Sequence, residues 1–205
     1  MNTTLVFCLI AFSLSIDYSL GLISIQAYWI NTGGDKSLSG FVFGLYDGLT
    51  VILTPLVAWL INNYGLKYRL VFQISLIVNI IGNIIYSLAY EADTWIMILV
   101  GRGIAGMGAS SLPLLMVYIA EKTCQQDAIG YIKYTSAITR VIGPILGTIF
   151  SIVVKNGQIF NLYTLAGWIP FFLGILTLIV VSYWTEEESF NNSVDTSLCL
   201  SLIHI

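Results

Sequence analysis

This sequence has few charged residues. Of its 205 residues only 9% are charged, whereas about 25% of the residues in an ordinary soluble domain are charged. Hydrophobic residues make up 57% of the chain, and the mean hydropathy is +0.87. A soluble domain of this length could not keep so much apolar surface away from water. The composition therefore excludes an ordinary soluble protein and predicts that the lipid bilayer surrounds the chain.

Residues that bind metals, cofactors or nucleic acid are also scarce. The three cysteines, Cys8, Cys124 and Cys199, show no CxxC spacing, and the only histidine is His204. A zinc site needs three or four convergent ligands, so we predict no metal site, and we predict no cofactor. The chain contains no block of basic residues, which argues against nucleic acid as a partner.

Two motifs of membrane-bound enzymes and pumps are missing. An intramembrane serine protease needs Gly-x-Ser-Gly and a histidine on another span, but the sequence at Gly108 is Gly-Ala-Ser-Ser and no apolar stretch contains a histidine. No glycine-rich phosphate loop ending in Gly-Lys-Ser or Gly-Lys-Thr is present, so direct use of ATP is not encoded. The sequence predicts that the chain is not an enzyme.

Long apolar stretches dominate what is present. A bilayer core of about 30 Å requires about 20 apolar residues per helix, and an unpaired backbone group in hydrocarbon would cost several kcal/mol, so the spans must be helical. The stretches that qualify are residues 4–30, 39–61, 70–90, 94–120, 129–153 and 163–184. We therefore predict an all-α polytopic membrane protein, with a six-helix bundle over residues 1–184.

Lysine and arginine in the connections predict the orientation. Lys67, Arg69 and Lys122 would lie on one side of the membrane, and Lys36 and Lys155 on the other. Because cytoplasmic loops carry an excess of Lys and Arg, this small bias places both termini in the cytoplasm.

The chain changes character after the sixth stretch. Residues 185–199 are polar and acidic, and we expect them to begin a disordered cytoplasmic linker. Residues 200–205 are what the codons CTG TCT CTT ATA CAC ATC encode, a sequence found at the ends of transposon-based sequencing libraries. We expect this tail to be non-native and the natural protein to continue past residue 199. The alternative is a short natural hydrophobic tail.

A loop motif lies between the second and third stretches. It resembles Gly-x-Leu-x-Asp-Arg-x-Gly-Arg-Arg of the major facilitator superfamily of transporters. Gly65 and Lys67 match the motif, Asn62 stands where the family has Asp, and Leu66 replaces the first arginine after the glycine. Arg69 lies two positions after Lys67. Because of these departures, the resemblance does not imply the charge relay of typical members for this chain.

Two helix motifs carry the same resemblance. The fourth stretch contains Gly101-Arg-Gly-Ile-Ala-Gly-Met-Gly-Ala109, which is similar to the family pattern Arg-Gly-x-x-Gly-x-Gly-Ala. The fifth contains Arg140-Val-Ile-Gly-Pro-Ile-Leu-Gly147, similar to Gly-Pro-x-x-Gly. The resemblance implies that the chain is the N-terminal half of a six-plus-six fold. It also implies that a small molecule or ion crosses between this half and a C-terminal six-helix half that is missing here.

Three short segments resemble one branch of the family. They begin at Asp17 (Asp-Tyr-Ser-Leu), Asn62 (Asn-Asn-Tyr) and Asn161 (Asn-Leu-Tyr-Thr). The branch is the endolysosomal or vacuolar one that contains the ceroid-lipofuscinosis transporter and the SPX-linked vacuolar proteins. This resemblance implies a lysosomal or vacuolar membrane, with the plasma membrane as the alternative.

Four charged residues lie well inside the apolar stretches: Asp17, Asp47, Arg102 and Arg140. Each costs about 2.5–3.5 kcal/mol at a helix centre and so usually marks a transport pathway. We predict that they compensate one another across a water-filled cavity that forms the substrate or proton pathway. Counting from the span ends places Asp17 and Arg102 at matched depth, so we expect them to be neighbours. The alternative is a static structural network of ion pairs.

Small residues are predicted to hold the helices together, because lipid provides no hydrophobic drive between them. The packing positions are Gly40, Gly44, Gly106, Gly108, Gly143 and Gly147, and the hinge positions are Pro113 and Pro144. Trp95, Trp168 and Trp184 lie near span ends and are predicted to be interfacial anchors.

Three functions fit these features. A secondary transporter would move a small solute by alternating access, coupled to protons through Asp17 or Asp47. An anion channel could use the same charged cavity. The third hypothesis is a non-transporting scaffold or a half-transporter that dimerises.

Overall fold

The computed structural model describes residues 3–122, 126–153 and 161–184. The predicted linker (185–199) and non-native tail (200–205) lie outside the described residues. The helices are α1 (Thr3–Asn31), α2 (Ser39–Tyr64), α3 (Tyr68–Leu88), α4 (Trp95–Ala109), α5 (Ser111–Lys122), α6 (Gln126–Val153) and α7 (Leu162–Tyr183), with a 3-10 turn at Lys36–Leu38 before α2.

The predicted all-α fold is confirmed. Within the described ranges, five helical segments are long and apolar enough to cross a membrane, and one of them joins α4 and α5 over Trp95–Ala120. Helix α6 corresponds to the predicted fifth span and has 28 residues, but it is not among those five. Its sequence includes Asp127, Lys133 and Arg140, so it is more polar than the other spans.

The helices pack in a row of six neighbours. Helix α2 packs mainly on α4, α4 on α3, α3 on α7, α7 on α1, and α1 on α6. Helices α2 and α6 thus stand at the two ends of the row. Helix α1 and the α4–α5 segment form the floor of the space between α2 and α6.

Glycine permits the closest helix contacts. A Cβ at Gly108 would lie 2.5 Å from the carbonyl oxygen of Ser75 on α3, and one at Gly106 would lie 2.5 Å from that of Tyr46 on α2. Gly147 packs on Ile23 of α1, with 2.9 Å between its would-be Cβ and Ile23 Cδ1. Close backbone approach of this kind is what small residues allow in membranes.

The other glycines that were predicted to pack against neighbouring helices differ in their surroundings. Gly143 lies directly against Ser19 of α1, as a packing residue does. In contrast, a Cβ at Gly40 or Gly44 would meet no heavy atom within 4 Å. The predicted packing role of these two glycines is therefore not seen here, because the face of α2 that carries them points away from the described helices.

The fourth predicted span is interrupted at Ser110, which separates α4 from α5. Pro113 has no N–H to bond the carbonyl of Ala109, and its ring would collide with that carbonyl in a continuous helix. Hydroxyl groups compensate for the break: Ser111 Oγ donates to the Gly108 carbonyl at 3.0 Å and Ser110 Oγ to the Met107 carbonyl at 2.7 Å. In contrast, α6 continues past Pro144 without interruption.

Tryptophan positions correct one prediction. Trp184 is 0% exposed and packs edge-on against Phe7 and Tyr118, with ring centroids 5.6 and 6.0 Å away. It is a core residue and not an interfacial anchor. Trp95, at 37% exposed, and the half-buried Trp168 remain accessible at their span ends.

Candidate functional site

Asp17 and Arg102 form an ion pair inside the bundle. Arg102 Nη1 lies 2.8 Å from Asp17 Oδ1, and Arg102 Nη2 donates to the Asp17 carbonyl oxygen at 3.4 Å. The side chains are 0% and 2% exposed for Asp17 and Arg102, respectively. The structure therefore brings together the two residues that matched depth predicts to be neighbours.

Other polar groups complete the surroundings of the pair. Asn79 Nδ2 donates to Asp17 Oδ2 at 2.9 Å, and the Tyr46 hydroxyl lies 3.5 Å from the same oxygen. The guanidinium carbon of Arg102 lies 4.9 Å from the ring centroid of Tyr46 and 5.3 Å from that of Tyr86. Aromatic faces attract a guanidinium within about 6 Å. The buried charges are thus neutralised from several sides.

Gly21 makes room for the arginine. It lies one helical turn after Asp17 on α1, and a Cβ at this position would overlap the Arg102 guanidinium. The face of α1 that contains Asp17 and Gly21 is therefore the face that receives Arg102.

A stripe of polar residues on α3 was missed by the sequence reasoning. Ser75, Asn79, Asn83 and Ser87 are all buried and recur every four residues, so they share one helix face. Asn83 Nδ2 donates to Asn79 Oδ1 at 3.1 Å, which fixes the amide that bonds Asp17. The four-residue period was the available signal.

Asp47 and Arg140 occupy a different place. They lie in a groove of ≈190 Å³, which we call the α2–α6 groove. Its lining residues are Leu14, Ser15, Tyr18, Tyr46, Asp47, Thr50, Ala109, Leu112, Pro113 and Arg140. Both charged residues are exposed, and neither forms an ion pair within 4 Å with the part of the chain that the structure describes.

The structure therefore does not bring the four charged residues together in one cavity. Asp17 and Arg102 are sealed inside the bundle, whereas Asp47 and Arg140 face the groove. Tyr46 lies between the two sets, because it lines the groove and its hydroxyl lies 3.5 Å from Asp17 Oδ2. Tyr18 lies beside it at 5.7 Å between ring centroids, and the Arg140 guanidinium lies 6.0 Å from the Tyr18 ring.

The loop motif connects helices within the bundle. Gly65 ends α2 with φ of 61°, a left-handed conformation that glycine adopts without strain. Lys67 precedes the first turn of α3, and Asn62 is exposed. Arg69 donates to the carbonyl of Ser182 near the end of α7. In this chain Arg69, two residues past the end of the motif, thus joins α3 to α7.

A family comparison agrees with this architecture. The family model described as Major Facilitator Superfamily matches residues 5–198. This chain belongs to the major facilitator superfamily. Its family is one of membrane transporters and not of enzymes.

Relatives in Schizosaccharomyces pombe support the family. An uncharacterized MFS-type transporter is 26% identical over 203 residues, covering 90% of this chain and 40% of that protein. A second is 26% identical over 173 residues (78% and 35%), and an uncharacterized protein is 26% identical over 179 residues (82% and 36%). This member of the superfamily thus spans less than half the length of these relatives.

Proposed function

We propose that this chain forms the N-terminal wall of a secondary active transporter, which moves a small solute through the α2–α6 groove by alternating access. The observation that carries the proposal is the groove itself. Asp47 and Arg140 are charged, accessible and unpaired among the described residues, in a chain with very few charges. Intramembrane charges are tolerated where they face water or a ligand.

The surfaces beside the groove support a second half. Val51 and Ile52 of α2 are 70% and 63% exposed, and Tyr134 and Val141 of α6 are 71% and 63% exposed. A C-terminal six-helix half would cover these faces and close the groove into a pathway, as the resemblance to a six-plus-six fold implies.

We extend the proposal to proton coupling. Asp17 is the acid that can exchange a proton, and Tyr46 gives it a route to the groove, because the tyrosine hydroxyl lies 3.5 Å from Asp17 Oδ2. Protonation of Asp17 would release Arg102 from its ion pair and so change how α1 and α4 are held together. Asp47 serves the solute.

The membrane is a separate part of the proposal. The segments at Asp17, Asn62 and Asn161 support a lysosomal or vacuolar membrane. Microscopy of the tagged full-length protein beside a lysosomal or vacuolar marker tests this, and accumulation in the plasma membrane would contradict it.

Counterflow tests the transport activity. Full-length protein in proteoliposomes should exchange a labelled solute for unlabelled solute, with a rate that saturates. Asp17→Asn should abolish uptake driven by a pH gradient and leave counterflow in place. A non-saturating conductance would support an anion channel, and no flux of any tested solute would support a scaffold or a half-transporter.

A further inference from the structure

The α2–α6 groove carries one charge of each sign on its two walls. Asp47 is on α2 and Arg140 is on α6, the helices at the two ends of the row. The other acid and base of the spans, Asp17 and Arg102, neutralise each other 2.8 Å apart inside the bundle. Only Asp47 and Arg140 among these four therefore remain to meet a solute.

We propose that the solute is a compact zwitterion, with its ammonium group at Asp47 and its carboxylate at Arg140. This rests on the function proposed above and names its substrate class. A solute with only a negative charge would satisfy Arg140 and leave the Asp47 carboxylate without a partner as water is displaced. A solute with only a positive charge would satisfy Asp47 and leave the Arg140 guanidinium without a partner. Leaving a charged group unpaired in a closed site is costly, so each mismatch reduces affinity.

The floor of the groove suits the rest of such a molecule. Tyr18, Tyr46, Leu14 and Leu112 line the groove between the two charged walls. The Thr50 hydroxyl is already engaged, since it donates to the Gly106 carbonyl at 2.8 Å. The floor therefore offers contact to an uncharged body, while recognition by charge falls to the two walls.

The groove is of a size that suits a compact solute. It measures ≈190 Å³ and is open on one side. A molecule of the size of a free amino acid fits this space.

Ligands that differ only in their charged groups test the roles of Asp47 and Arg140. Purified full-length protein would be tested for thermal stabilisation by four zwitterions (glycine, alanine, leucine and phenylalanine) at millimolar concentration. The best of the four would then be compared with its N-acetyl derivative, which is an anion, and its amide, which is a cation. The variants are Asp47→Asn and Arg140→Gln. Their matched controls are Asp93→Asn in an exposed loop and Lys133→Gln on α6, neither of which lines the groove.

The expected result is binding of a zwitterion and rejection of both derivatives. Asp47→Asn should weaken zwitterion binding about ten- to a hundredfold and remove the rejection of the N-acetyl derivative. Arg140→Gln should weaken it similarly and remove the rejection of the amide, while both controls bind as the unaltered protein does. A change of charge preference cannot come from a general loss of structure.

Two results would overturn the inference. One is that none of the four zwitterions binds, or that the N-acetyl derivative or the amide binds unaltered protein equally well. The other is that Asp47→Asn and Arg140→Gln leave charge preference unchanged, which would mean that both residues pair with the other half of the protein. Zwitterion binding without transport would instead contradict the proposed function. Transport of other solutes without zwitterion binding would contradict only the inferred substrate class and would agree with the proposed function.

Discussion

At the scale of single residues, the ion pair of Asp17 and Arg102 is the most consequential contact. A buried pair is costly to break because the remaining charge keeps its desolvation penalty. The two partners are not equivalent. Without Asp17, the Arg102 guanidinium still has the rings of Tyr46 and Tyr86 and the backbone carbonyl of residue 17. Without Arg102, the Asp17 carboxylate loses its only cation among the described residues.

This asymmetry predicts the outcome of a double-mutant cycle. Arg102→Met should destabilise the protein by about 3–5 kcal/mol, and Asp17→Asn should cost less while leaving membrane insertion intact. The double variant should recover part of the loss, because no unpaired charge remains. Denaturant unfolding in detergent gives the four free energies. Additive effects of the two substitutions would show that the residues do not interact.

Tyr46 is the residue between the pair and the groove. Tyr46→Phe keeps the ring on the groove and removes the hydroxyl that lies 3.5 Å from Asp17. We expect solute binding to be unchanged and the pH-dependent transport rate to fall, since the proposed proton route is interrupted. Solute affinity and the pH profile of uptake should be measured together. Tyr18→Phe is the matched control, and an equal effect of both substitutions would contradict the route through Tyr46.

At the scale of elements, helix contact depends on which glycines face a neighbour. Gly108 packs against the backbone of α3, where a Cβ would lie 2.5 Å from the Ser75 carbonyl oxygen, whereas Gly44 faces open space. Backbone atoms cannot move aside as the end of a flexible side chain can. The two glycines therefore form a matched pair for substitution.

Gly108→Val should separate α3 from α4 and cost about 1–3 kcal/mol or more. Gly44→Val should have little effect on the stability of the bundle. Thermal unfolding of both variants in the same detergent provides the comparison. Equal stability of the two variants would contradict the close α3–α4 packing.

The sequence was sufficient for the elements but not for all their contacts. Apolar runs of span length have few alternatives in a bilayer, which explains why the helices were predictable. Of the two predicted hinge positions, Pro113 lies just after the break at Ser110, whereas Pro144 lies within a continuous α6. The burial of Trp184 was not predictable, because position near a span end indicates an anchor unless neighbouring rings are known.

The site was predictable only in part. Asp17 and Arg102 were candidates because they are charged residues in apolar spans. Counting residues from the span ends placed them at the same depth, and the structure confirms that they are neighbours. Asn79 and Asn83 carry no charge and were missed despite their four-residue spacing. Asp47 and Arg140 were assigned to the same cavity as the buried pair because helix rotation about α1 cannot be read from one sequence.

At the scale of the whole molecule, the groove is open on one side. The charged residues of α2 and α6 face a space that the described helices do not enclose, and the S. pombe relatives are more than twice as long. In the proposed function, the described helices provide one wall of a pathway that a second half completes.

This predicts that the 205-residue chain inserts as a helical bundle but does not transport. Circular dichroism and protease protection would report insertion, and proteoliposomes would report flux. The full-length protein, prepared in the same way, is the positive control. Robust flux from a monomeric 205-residue chain would contradict the prediction, and flux from a demonstrated homodimer would support the half-transporter reading.

Thiol accessibility tests the central claim most directly, which is that the α2–α6 groove opens to each side of the membrane in turn. In full-length protein freed of its native cysteines, Leu112→Cys places a thiol in the groove, and Ile81→Cys places one on an exposed face of α3. A membrane-impermeant thiol reagent applied from either side should label the groove position and not the α3 position, which faces lipid. Labelling of the groove position from neither side, or from one side only under all solute and pH conditions, would contradict alternating access.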